Sequence, residues 1–319
     1  MQIILQCNMK YLLFTIGISV IILFIISSYN LFGFQDYSFT RMWGSKGSGE
    51  AEFNYPHSIA INNVGDVYVT DEKNHRVQQF GPDGTFIRMW GSKGSGDGQL
   101  ISPEGIDVDS FGNIYVADIG NKRVQKFTGN GTFITKWGSE GLDNGQFSRH
   151  AHGIDIDQSN NVYVVDRFNN RVQKFTNNGT FVTKWGSEGT GDGQFNEPHS
   201  SAVDHHDNVY VSDMKNLRIQ KFTGNGTFIT KWGSNGSGNS QFREPAGIAT
   251  DSSGNVYVVD KMNSNIQKFT GNGTFITKWG SNGNNEGEIS GAEDLDVDSY
   301  GKVYVVDSGN SRIQEFIPK

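Results

Sequence analysis

Cysteine is almost missing from this chain. Cys7 is the only one, so no intramolecular disulfide can form, and a zinc site built from several thiolates is excluded. Proline is scarce at 6 residues in 319, which rules out collagen and proline-rich linkers even though glycine reaches 41. Positive charge is also in short supply. Lys10 is the only charged residue before Asp36, and the remainder sets 26 basic against 34 acidic side chains. A net acidic body lacks the cationic groups that displace phosphate counterions, so general nucleic-acid binding is not expected. Beyond the N-terminal stretch nothing reads as helix. The aromatic content of 12% is nevertheless enough for a packed core.

Long apolar runs are confined to one place. Residues 11–28 read YLLFTIGISVIILFIISS and carry no charge. Eighteen helical residues span roughly 27 Å, close to the hydrocarbon thickness of a bilayer. The run is therefore expected to be a transmembrane helix, with residues 1–10 a short tail and 29–36 a linker. No A-x-A-like cleavage site follows it, which favours an uncleaved anchor over a signal segment. Lys10 before the run and Asp36 after it place the N-terminus inside and the body outside the cytoplasm. The alternative is a protein secreted after signal cleavage.

Six strands recur, from VYVTD ending at Asp71 to VYVVD ending at Asp307, and their aspartates lie 47, 48, 47, 47 and 47 residues apart. A fixed period in this range marks a propeller or a solenoid. Each repeat holds four strand signals rich in β-branched and aromatic residues: HSIAIN, VYVTD, RVQQF and TFIRMWG in the first. Asn130-Gly131 and its equivalents join the third signal to the fourth, and Asn-Gly suits a type I′ hairpin turn. Four antiparallel strands per unit describe a propeller blade. The last repeat stops after its third strand, and the missing fourth appears at the start, from Ser38. Its Arg41–Gly49 stretch is identical to Arg88–Gly96. A displaced strand is what ring closure requires. The expected fold is all-β: a six-bladed propeller of four-stranded antiparallel blades over 37–319, its last blade closed by the N-terminal strand.

The pattern D-x-x-N-x-R-[VI]-Q-x-F, followed by G-T-F and then by G-x-G-Q-F and P-x-G-I runs, resembles the NHL repeat family over about residues 37–318. The resemblance implies a six-bladed propeller. It also implies a range of roles: protein-binding, RNA-binding and sensor modules and, in one group, amidating lyases. Ligase activity does not carry over, because no cysteine-histidine module is present.

Repetition decides most candidate sites. Asp71, Asn74 and Arg76 have counterparts in nearly every blade, with Asn265 replacing the arginine in the fifth, and a group needed six times is architecture. The glycine-rich run from Gly91 lacks the strand–loop–helix context of a phosphate loop and reads as a connection between blades. Asn130, Asn178, Asn225, Asn235 and Asn272 fit the glycosylation pattern, but four are turn residues. The six tryptophans are expected to pack between blades.

One position breaks the repeat: the residue opening each first strand, which is His57, Glu104, His152, His199, Ala246 and Glu293. In a propeller this strand lines the channel, so His57, Glu104, His152, His199 and Glu293 are the candidate ligand-binding ring. Imidazole and carboxylate suit zinc and other divalent ions, calcium included, with His57, His152 and His199 as expected ligands. Their settings resemble the zinc-histidine motifs of the amidating lyases, although the histidines fall on blades one, three and four rather than on alternate blades. His150, His205 and His206 are expected in solvated loops. The leading expectation is a membrane-anchored module binding a protein, peptide or glycan. The alternative is a metal-dependent lyase or hydrolase.

Overall fold

The computed structural model describes residues 37–319. In it the strand signals of each repeat form one twisted blade. In blade 1, Pro56–Ile61 pairs with Val67–Asp71, which pairs with Arg76–Phe80, which pairs with Phe86–Trp90, all antiparallel. Five such blades follow one another. The sixth is assembled from both ends of the described chain: Tyr37–Trp43 pairs with Arg312–Pro318 and supplies the outer strand. The sheet order therefore bears out the six-bladed, strand-closed ring. Among the described residues no helix is long and apolar enough to cross a membrane. The expected span at 11–28, its tail 1–10 and the linker 29–36 lie outside the described residues.

The core sits between blades rather than within them. Tyr68 and Val77 of blade 1 pack with Leu100, Ile106, Val116 and Phe127 of blade 2. Trp90 bridges the same gap, with ring centroids 6.2 Å from both Tyr68 and Phe127. These are edge-on and tilted contacts that aromatic quadrupoles favour. The tryptophans thus pack between blades, as their repetition implied.

The recurrent aspartate and arginine hold the inter-blade connections. Arg76 Nε donates to Asp71 at 2.8 Å, and its two terminal nitrogens reach the carbonyls of Ser48, Gly49 and Glu52. Gln78 adds a bond to the Glu52 carbonyl and accepts from Ala51 N–H. The incoming loop has few partners of its own, and these side chains satisfy its backbone. The turn chemistry differs from expectation. Gly131 has φ +86°, but Asn130 does not take positive φ, and Gly131 N–H bonds the Thr128 carbonyl. The hairpin is a type I turn closed by a glycine bulge, with the register shift falling at Lys126/Phe127.

All six first strands point the same way through the ring. They run from one face, where His57 and its equivalents lie, to the far face. There the turns at 62–66, 109–113 and their equivalents return the chain. Tyr37 pairs with Pro318 at this far face.

Candidate metal centre at the channel mouth

A β-bulge aims the ring residue in blades 1 to 5. In blade 1 the register runs Pro56↔Asp71 and then Ile59↔Val69, so His57 and Ser58 together oppose one residue, Thr70. The same shift opens the first strand of blades 2 to 5. A bulge re-aims a side chain, and bulges recur beside functional sites. The Thr70 hydroxyl fills the gap, accepting from Ser58 N–H at 2.9 Å and donating to the Glu104 carbonyl of the next blade at 2.7 Å. Ser212 does the same between blades 4 and 5. Threonine and serine stand at this point of the second strand only there, a signal that sequence reading passed over.

The ring converges. His57, Glu104, His152, His199 and Glu293 are all buried, and fully buried Ala246 completes the circle. The His152 and His199 rings lie 3.8 Å apart, those of His57 and His152 4.8 Å, and those of His57 and His199 6.2 Å. Alternate-blade spacing is not needed, because the neighbouring blades 1, 2 and 3 bring ligand atoms together at the mouth. Ligand atoms of His57, Glu104 and His152 all fall within 4.8 Å of one another. His199 points elsewhere, its Nε2 lying 3.6 Å from Glu293. Glu104 thus takes the place that sequence reading gave to His199 in the tightest triad.

The electrostatics suit a cation. Burial, with His199 and His57 close by, keeps His152 neutral well below its ordinary range. Burial likewise pushes His199 down to about 4, against the pull of Glu293. Burial pushes the Glu293 carboxyl up, but His199, His57 and Lys261 outweigh it and hold it ionised. Tyr55 and Lys261 both bond one Glu293 oxygen. Burial, then Glu293, lifts the Tyr55 hydroxyl far above the usual phenol range, so it stays protonated. Several buried atoms here have no hydrogen-bond partner: His57 Nδ1, His199 Nδ1 and Glu104 Oε2. Glu104 Oε2 approaches His152 Nε2 at 3.3 Å without hydrogen-bond geometry. Orphaned donors and acceptors at a buried site call for a ligand or ion. Tetrahedral zinc places its ligand atoms roughly 3.3 Å apart, so the widest pair of the triad, within 4.8 Å, must close by up to about 1.5 Å to hold one.

His150 corrects the sequence reading. It lies at the mouth, part-buried, with Nδ1 3.7 Å from Glu104 and its ring edge-on to Phe168 at 4.9 Å. The third repeat is one residue longer than the others, and the extra residue falls in the 148–150 segment that carries it. That irregular spacing was the available clue. His205 and His206 sit, as expected, in an exposed turn on the far face.

Below the histidines the channel opens into a cavity of about 200 Å³ lined by Asp107, Asp155, Asp294 and Asp296 among aliphatic side chains. These carboxylates cap exposed edges of the first strands: Asp155 accepts from Val203 N–H at 2.6 Å and Asp296 from Ile61 N–H at 2.8 Å. They are open to channel water yet walled in by the ring. This enclosure raises Asp155 to about 7 and Asp294 to about 6. Asp107 goes well above the carboxylate range through burial and the neighbouring Asp155 charge.

The NHL repeat model matches residues 53–80, 100–127, 149–175 and 242–269. Human NHL repeat-containing protein 3 is 41% identical over 49 residues, a match that spans 15% of this chain and 14% of that protein. The chain thus matches only about a seventh of the length of that curated relative. Among solved structures, a streptogramin B lyase superposes with a TM-score of 0.62 at 14% identity, covering 89% of this chain and 98% of that one. A gluconolactonase from Xanthomonas campestris gives a TM-score of 0.62 at 11% identity, covering 84% and 87%. Identities this low establish a shared propeller fold and nothing of its chemistry. The chain thus carries NHL repeats on four blades, with the same architecture completed on the other two, in a six-bladed β-propeller.

Proposed function

We propose that this chain is a membrane-tethered recognition propeller whose channel mouth is organised by a divalent transition ion. A protein, peptide or glycan ligand would bind over that mouth. The observation that carries the reading is the buried triad of His57, Glu104 and His152 with its orphaned nitrogen and oxygen. The donor chemistry favours zinc over calcium, which takes six to eight oxygen ligands. His57, His152 and Glu104 would hold the ion, while His199 and Glu293 support them from beside. When bound, the ion supplies a positive centre that polarises a carbonyl or carboxylate of the ligand. The apolar run at 11–28 supports a single-pass tether with the propeller outside the cytoplasm.

A metal-dependent lyase or hydrolase is the second reading. Tyr55 favours it, because a phenol held protonated beside Glu293 and Lys261 can donate a hydrogen bond to charge developing on a substrate oxygen. The fold is one that a lyase and a lactonase also use, which permits this reading without selecting it.

The test is metal analysis of the full chain purified in detergent. The expected result is one equivalent of zinc, lost in His57→Ala, Glu104→Gln and His152→Ala with the circular dichroism unchanged. A wild-type chain that takes up no stoichiometric metal from a zinc-supplemented buffer would overturn the reading.

A further inference from the structure

The far face of the ring is not uniform. Its six first-strand turns share one construction, in which the residue at the first position accepts the N–H of the third. Val64 N–H bonds Asn62, Phe111 N–H bonds Asp109, and Tyr300 N–H bonds Asp298. Blades 3 and 5 build the same turn with Ser159 and Ser253 at the third position. The fold therefore does not need an apolar side chain there. Yet blades 6, 1 and 2, which are neighbours, carry Tyr300, Val64 and Phe111, exposed at 84%, 74% and 74%. Exposed Pro82 lies beside the blade 1 turn, against Gly65. Adjacent turns of this face touch: Ser110 N–H bonds Asn160 across blades 2 and 3 at 3.0 Å. The three side chains thus mark an arc of consecutive turns with exposed apolar groups, each next to an exposed polar residue (Ser299, Asn63 and Ser110), while the third position of the other three turns is polar. A clustered apolar surface that the fold does not require marks an interaction site.

Chain connectivity says what covers it. The polypeptide enters the ring at Tyr37, on this same face and in blade 6, beside the arc. Only residues 29–36 separate it from the uncharged run 11–28, and eight residues reach at most about 28 Å. Tyrosine is enriched at the membrane–water boundary, and phenylalanine is among the apolar side chains that interfacial segments bury in it. We infer that the arc of Tyr300, Val64 and Phe111 rests on the lipid surface. The ring then lies with its far face to the membrane and the histidine mouth open to the aqueous side. The inference rests on the tether proposed above and adds the orientation of the ring.

The experiment uses the full chain in proteoliposomes. In a Cys7→Ser background, single substitutions Val64→Cys, Phe111→Cys and Tyr300→Cys carry an environment-sensitive fluorophore, with Ser159→Cys and Ser253→Cys as controls on the polar turns. The expected result is a blue shift and quenching by nitroxide-labelled lipid at the first three sites and neither at the controls. Equal, lipid-insensitive signals at all five sites would overturn the inference. So would a blue shift that persists in detergent and scales with protein concentration, since a second copy of the chain would then cover the arc. Retention of the chain in alkali-washed membranes tests the tether separately. A tethered chain with no lipid contact at the arc sinks the orientation alone, and a chain released by alkali sinks both.

Discussion

Asp107 shows how one side chain couples the channel to pH. Its carboxyl accepts Val108 N–H at 2.7 Å, and burial in the walled-in lumen, then the charge of Asp155, raises it well above the carboxylate range. Its folded pKa is raised, so the group's contribution to stability is complete at acid pH and is lost as pH rises through the folded value. Asp107→Asn keeps the acceptor and the donor but cannot ionise. The substitution is expected to leave stability near wild type at pH 3, below the unfolded carboxyl value, and to add about 1–2 kcal/mol at pH 8. Urea unfolding of the full chain at both values checks it, and an equal effect at the two would contradict it. His152 and His199, both lowered by burial, act in the opposite sense. His199, held down to about 4, destabilises the fold as pH falls below the ordinary imidazole value. At this scale the sequence was legible where the repeat breaks, since the residues that open the first strands lie together at the channel mouth although the histidine spacing departs from alternate blades. Asp107, Asp155 and Asp296 were not singled out, because two positions of a half-alternating strand signal look alike until the lumen is closed around them. His150 was misread because a sequence does not reveal which loop folds over a mouth.

The connection between blades is the element on which the ring's integrity depends, and blade 5 tests its logic. In five blades an arginine bonds the aspartate and reaches three carbonyls of the incoming loop; in blade 2 these are Ser95, Gly96 and Gln99. Asn265 stands there in blade 5, reaches only the Asn263 carbonyl, and leaves its own oxygen without a partner. Asp260 compensates by capping Arg243 and Glu244 N–H groups. The carbonyl of Gly238 occupies the equivalent of Gly96. Asn265→Arg is therefore expected to stabilise the chain by about 1 kcal/mol, read as a higher midpoint in urea with an unchanged slope. No gain would mean that the loop of blade 5 has settled into a form the guanidinium cannot reach. The staple was readable as architecture from its repetition. Its targets were not, because backbone carbonyls carry no signature in sequence.

Closure of the whole ring depends on one short strand. Tyr37 stacks on Trp279 of blade 5 at 4.1 Å, its hydroxyl lies 2.9 Å from that of Tyr257, and its backbone pairs with Pro318 of blade 6. It therefore locks the closing strand to both flanking blades at once. An open array of repeats unfolds piecemeal from its ends, since each unit contacts only its neighbours. A closed ring has no end, so a weakened seam should lower the stability of every blade together. Tyr37→Phe removes only the hydroxyl contact and is expected to cost about 1 kcal/mol. Tyr37→Ala removes the buried ring as well and is expected to cost about 3 kcal/mol. Tryptophan fluorescence reports on all six blades, because each carries one at its outer strand. For both variants the fluorescence and far-ultraviolet circular dichroism curves in urea should coincide in a single shifted transition. An early fluorescence step that precedes the loss of strand signal would mean that the seam opens on its own, and that the ring is held by its individual blade contacts rather than by its closure.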